Sequence, residues 1–152
     1  MDTVGAGQHQ GIYGYDRRQY KTEAMVATGL FCQQLLGVQP SHRRMQESIQ
    51  HIQRKMPSEK QGDFYYWYYA CLSLYQNQGP AWDEWNERMK PIWLNLQVKT
   101  GKDAGSWDAR GGRHMSDMGR IITTALATLS LEVYYRYLPL YQERPITFTM
   151  QD

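Results

Sequence analysis

Asp63-Phe64-Tyr65-Tyr66-Trp67-Tyr68-Tyr69-Ala70-Cys71-Leu72-Ser73-Leu74-Tyr75-Gln76 is apolar or aromatic on nearly every side when wound as a helix. A helix with no polar stripe cannot lie on a surface, so this one is expected at the centre of the fold, touched on several sides. It is predicted to begin near Asp63 and to end by Gly79. Four further segments carry helical periodicity, and none shows a convincing strand alternation. The first runs from about Lys21 to Leu36, with Met25, Leu30, Phe31, Leu35 and Leu36 as its apolar side, and Gly37 and Pro40 mark its end. The second runs from about Ser41, a candidate N-cap, to Lys55, and rests Met45, Ile49, Ile52 and Met56 on a neighbour. The fourth opens at Pro80 and buries Trp82, Trp85, Met89, Ile92, Trp93 and Leu96; Pro91 inside it is expected to kink or split it. The fifth starts near Ser116 or Asp117 and reaches about Leu138, before Pro139.

Three of these helices share a pattern. Ala27-Thr28-Gly29-Leu30-Phe31, Ala70-Cys71-Leu72-Ser73-Leu74 and Ala127-Thr128-Leu129-Ser130-Leu131 align on their alanines, at offsets of 43 and 57 residues. Repeats of this length indicate stacked helical hairpins, each unable to bury its apolar face alone. The first, third and fifth helices are therefore expected to be equivalent, with the second and fourth as their connectors. The chain divides into an N-terminal extension (1–19), a repeat domain (20–141) and a C-terminal tail (142–152).

Composition excludes several classes. A chain of 152 residues with 12 Tyr and five Trp supports a real core rather than disorder. A net charge of +2 gives no basis for a nucleic-acid partner. No apolar run is long enough to span a membrane. MDTVGAGQHQGIYGYDRR lacks the apolar centre of a secretion signal, which makes a cytoplasmic location the default expectation. Cys32 and Cys71 lie in apolar stretches and read as reduced packing residues.

Gly105-Ser106-Trp107-Asp108, Gly111-Gly112-Arg113 and the run Thr123 to Tyr141 (TTALATLSLEVYYRYLPLY) resemble the α/α-toroid family of prenyltransferase and squalene-oxidase (terpene-cyclase) repeats. Asp63 to Ala70 is similar to an inner helix of that family. The resemblance spans roughly Tyr20 to Tyr141 and is greatest to uncharacterised bacterial members. It implies an all-α fold of antiparallel helical hairpins, about five main helices forming a partial α/α toroid. The family's Gln followed by Gly-x-Trp corresponds to Gln97 and Gly105-Ser106-Trp107, with a longer spacer than usual. In the family these residues are structural, which implies the same for Trp107. The enzymes of the fold use a DxDD acid cluster, a DDxxD metal motif, or a zinc site built from Asp, Cys and His. None of these patterns occurs in the sequence, nor does the Cys-Gly-Glu-Gln segment of thioester domains.

Candidate sites are few. Asp16, Asp63 and Asp117 each precede an inner helix and read as N-caps rather than as a carboxylate ring. Asp103, Asp108, His114 and Asp117 crowd the Gly-rich loop but match no calcium-loop pattern, and no metal or cofactor is expected. Arg110, Arg113 and Arg120 flank the same loop, where a diphosphate is the functional reading and a solvated loop the plain one. The run Tyr65 to Tyr69 points in all directions, so at most part of it can face one groove; cation–π stabilisation in a cavity is the alternative to core packing. Tyr65, Trp67, Tyr68, Trp107, Asp108 and His114 are the binding candidates, and no catalytic residue is assigned. The expected function is a non-catalytic helical-repeat module offering a concave aromatic-lined surface to a protein, a peptide or a second copy. The expected partner, a homo-oligomer or another protein, covers the open seam of the incomplete ring, and an apolar ligand is a further expected occupant. The alternative is a terpene cyclase- or prenyltransferase-like enzyme or fragment acting on an isoprenoid.

Overall fold

A computed structural model describes residues 5–16, 20–109 and 115–133. Among these residues the chain is all-α in character, with five helices and one very small sheet. The helices are α1 (Glu23–Leu35), α2 (Arg43–Gln53), α3 (Phe64–Asn77), α4 (Pro80–Leu96) and α5 (Met115–Leu131). No helix among the described residues is long and apolar enough to cross a membrane.

Helix α3 is the hub. It packs against α1 on one flank, α5 on the other and α4 behind, while α2 packs on α1 and touches α4. The contacts follow the chemistry of each side. Toward α4, the Trp85 indole N–H donates to Cys71 Sγ at 3.2 Å, and Trp67 meets Trp93 edge to face at 5.4 Å between centroids. Toward α1, Gln34 Nε2 donates to the Ser73 carbonyl at 2.8 Å. Ala27, Ala70 and Ala127 are all 0% exposed, one on each of α1, α3 and α5. Small side chains at these buried positions leave room for α1 and α5 to pack closely on α3. Asp63 caps α3 by accepting from the Tyr66 N–H at 3.0 Å. Thr22 and His42, rather than Asp16 and Ser41, cap α1 and α2.

Helix α4 runs unbroken across Pro91. The expected split does not occur because Pro91 and the preceding turn, Glu87 and Arg88, are exposed, so the carbonyl the proline leaves unbonded faces water. Helix α5 does break, at Gly119, whose φ of 71° and ψ of 177° leave the helical region. Glycine alone takes that conformation without strain.

Residues 5–16, within the stretch set apart as an extension, carry a two-strand antiparallel hairpin. It is made of β1 (Gly5–Ala6) and β2 (Ile12–Tyr13), with Gly5 opposite Tyr13. Strands of two residues are too short to show an alternation, which is why periodicity misses them. The hairpin is held from outside. The Glu47 carboxylate on α2 accepts the backbone N–H groups of Gln8, His9 and Gly11 at 2.7, 2.9 and 2.8 Å. Tyr13, 2% exposed, lays its ring over Gly29 of α1. In the repeat alignment Gly29 stands where the other two helices carry Leu72 and Leu129. A Cβ at Gly29 would come within 2.3 Å of the Tyr13 ring, so the tyrosine fills the space a leucine occupies elsewhere.

Gly29→Ala is therefore expected to destabilise the protein by about 1–3 kcal/mol through overpacking. In a Tyr13→Ala background the same change should be neutral or stabilising, since alanine is otherwise the better helix former. Urea denaturation of the four proteins of this cycle measures it; an equal cost of Gly29→Ala in both backgrounds contradicts the packing.

Candidate functional site

Successive residues of an α-helix turn by about 100°. On α3 this places Trp67 and Cys71 toward α4, Tyr65 and Tyr69 on the opposite side, and Tyr68 between the two, about 100° from Trp67. The tyrosine side is half-buried, whereas Phe64, Tyr66, Trp67 and Ala70 to Leu74 are buried. Tyr69 touches the rings of both Tyr65 and Tyr68. Tyr65 and Tyr69 lie 4.9 Å apart between centroids, and Tyr68 and Tyr69 lie 5.1 Å apart with their planes at 68°. Burial, then the hydrogen bond with Tyr65, pushes the Tyr69 phenol up to about 12. Cys32 of α1 is close enough to act electrostatically on the same phenol. The arrangement is a patch of polar-tipped rings at the junction of α3 and α1. It offers apolar area, aromatic faces and hydroxyls.

The structure separates the sequence candidates into three places. Tyr65 and Tyr68 belong to this patch. Trp67 does not: it is 0% exposed on the α4 side, against Phe64 and Trp93 at centroid distances of 5.2 and 5.4 Å. Consecutive aromatics on a helix cannot share a face, and the largest ring went to the dry side. Trp107 is buried in the same aromatic cluster, edge-on to Trp93 at 6.4 Å, with its indole N–H donating to the Trp93 carbonyl at 2.9 Å. That carbonyl lies in the last turn of α4, where carbonyls lose their helical partners, so Trp107 serves as its cap.

Asp108 sits on the loop after Trp107. Its carboxylate pairs with Arg120 at 2.5 Å, and Arg120 also reaches Asp103 at 3.6 Å and the Ser106 hydroxyl at 3.0 Å. Arg120 thus ties the loop to α5 and is already engaged by two carboxylates, which leaves it a poor diphosphate ligand. Arg110, Arg113 and His114 lie outside the described residues. Among the described residues no group of three His, Cys, Asp or Glu side chains is placed to hold a metal ion.

The long spacer between Gln97 and Gly105 is accounted for by its own hairpin. Gln97 and Trp107 form an antiparallel bridge, Val98 N–H donates to the Ser106 carbonyl and Gly105 N–H to the Val98 carbonyl, both at 2.8 Å. The extra residues loop out, and the glutamine still meets the tryptophan; Gln97 Nε2 donates to the Gly105 carbonyl at 3.2 Å.

Behind α3, an apolar cavity of about 50 Å³ is bounded by Cys71, Trp82, Trp85, Met89, Trp93 and Leu131. It admits a methyl group or a water, far below the roughly 300–1,000 Å³ of small-molecule sites. Sequence reasoning missed the Glu47 clamp and the groove it closes beside α2. The glycines at 5, 7 and 11 were the available signal for a turn, but nothing in the sequence joins them to residue 47.

No protein family, no curated protein and no solved structure matches the chain.

Burial pushes the Cys71 thiol up to about 12, against the weaker opposing hydrogen bonds from Trp85 and Ser130. A thiol whose folded pKa is raised favours the folded state below its ordinary value near 9.0 and loses that contribution as pH rises. Two outcomes are expected. Iodoacetamide at pH 8 should label Cys32 and spare Cys71 until the protein unfolds, as read by peptide mass spectrometry. The melting temperature should fall as pH rises from 9 toward 12, and a Cys71→Ala variant should fall less steeply over that interval. Rapid labelling of native Cys71 contradicts the assignment.

Proposed function

We propose that this chain is a non-catalytic helical-repeat module that presents the Tyr65, Tyr68 and Tyr69 face to a protein surface, with a second copy of the chain as the first candidate. The observation that carries the reading is a half-buried tyrosine patch on a helix that is otherwise largely buried, with Tyr69 packed against both Tyr65 and Tyr68. Tyrosine gives large contact area with little side-chain entropy to lose, and its hydroxyl tolerates water before the partner arrives, which is why it is enriched at interfaces. Kinship with the α/α-toroid repeats is part of the same proposal. It is supported by the three aligned alanines on adjacent helices and by the pairing of Gln97 with Trp107. A toroid built from too few hairpins leaves inner-helix surface uncovered, and a partner supplies the cover. The isoprenoid-enzyme reading has no observation in its favour: the described apolar cavity is too small, and the loop carboxylates are paired to Arg120.

Sedimentation velocity across about 1–100 μM, where an interface of about 6–8 kcal/mol dissociates, tests the proposal. The wild type is expected to sediment faster as concentration rises. Tyr65→Lys/Tyr68→Lys should remain monomeric with a melting temperature within a few degrees. The reading fails if the wild type stays monomeric throughout and a random-peptide selection returns no sequence that distinguishes it from the variant.

A further inference from the structure

Helix α2 departs from helix electrostatics at its first turn. The N-terminus of a helix carries partial positive charge, so acidic side chains stabilise it and basic ones do not. Yet α2 opens with Arg43 and Arg44 and has no acidic residue in its first turn. Arg44 has a structural use, since its Nη2 donates to Gln10 Oε1 of the hairpin loop at 3.3 Å. Arg43 is exposed and forms no ion pair or hydrogen bond among the described residues. A residue that weakens its own helix without a return inside the fold marks a position kept for something outside it.

Arg43 stands at one end of a groove of about 430 Å³ between α2 and the hairpin loop. Arg54 stands at the other end, also exposed and without an ion pair among the described residues. Positions 43, 47, 50 and 54 recur at helical spacing, so Arg43, Glu47, Gln50 and Arg54 share one face of α2. The two arginines lie about 16 Å apart along that face at 1.5 Å per residue. The single carboxylate of the lining, Glu47, is spent on three backbone N–H groups of the loop. What the groove offers is therefore two guanidinium groups at its ends, with His9, His51 and the Gln50 amide between them. His51 is held below its ordinary value, first by burial, so near pH 7 it is a neutral hydrogen-bonding group.

We infer that this groove binds an extended acidic peptide segment whose carboxylates meet Arg43 and Arg54 and whose backbone meets the Gln50 amide. In an extended chain two acidic side chains four positions apart share one face and span about 13 Å at about 3.3 Å per residue, within reach of the two long arginine side chains. A peptide fits better than a nucleic acid. No Phe, Tyr or Trp ring lines the groove for a base to stack on, and the net charge of the chain is only +2. The groove shares no residue with the tyrosine face, so it stands or falls independently of it.

The test is fluorescence anisotropy with a fluorescein-labelled peptide of about five residues, aspartate at both ends and glycine and serine between. Its asparagine-ended counterpart and a labelled oligothymidine of similar length are the comparisons. The wild type is expected to bind the aspartate peptide at least tenfold tighter than either, with affinity falling as salt rises. Arg43→Glu should reduce that affinity at least tenfold while leaving the melting temperature unchanged or raised, because an acidic residue suits the first turn. Arg54→Gln should reduce it by a smaller factor. The inference is overturned by no binding of the aspartate peptide at 1 mM, by equal binding of the asparagine peptide, by unchanged affinity in Arg43→Glu, or by tighter binding of the oligothymidine.

Discussion

Helix α3 has no polar face, and the described elements are arranged to cover it. Phe64, Trp67, Ala70, Cys71 and Leu74 face tryptophans of α4 or the buried flanks, and the packing there is ring against ring. The α3 tyrosine driven fully inside, Tyr66, keeps its hydroxyl bonded to the Lys55 carbonyl at 2.9 Å. Burial raises its phenol strongly, so it remains a neutral donor. Tyr65, Tyr68 and Tyr69 stay half-buried near the junction with α1. Toward α4 the packing mixes ring types: Phe64 and Trp67 meet Trp93, Tyr66 meets Trp85 and Tyr75 meets Trp82.

The flanks of α3 are finished differently. On the α1 side the hairpin closes the row, with Tyr13 seated on Gly29 and the loop amides gathered on Glu47. On the α5 side Ile121 is 83% exposed, and Ala125 and Thr128 are exposed above it. Both edge helices are preceded by a small hairpin that delivers one buried aromatic to the core: Tyr13 ahead of α1, Trp107 ahead of α5. The two aromatics are anchored by different means, a glycine notch in one case and the last-turn carbonyl of α4 in the other.

The helices were legible because each carries a long apolar period and an end signal. The alanine repeat located the row α1, α3, α5 before any contact was known, since small residues at matched positions have little other purpose. The hairpin was not legible: its strands are two residues long, and the carboxylate that shapes it lies 36 to 39 residues away in sequence. The tyrosine run announced an unusual helix but not which rings face outward. That follows only from the side α4 takes, and it removes Trp67 from the exposed set. Asp108 looked free in the sequence because its partner, Arg120, arrives from the next helix. The groove beside α2 depends on the hairpin and was invisible for the same reason.

The most direct test of α3 as the element on which the rest is built is native-state amide hydrogen exchange resolved by residue. Amides of Trp67 to Leu74 should be the slowest in the protein and should exchange only with global unfolding, while those of α2 and the 97–107 loop should open at lower free energy. Exchange of the α3 amides as fast as those of α2 would contradict the account.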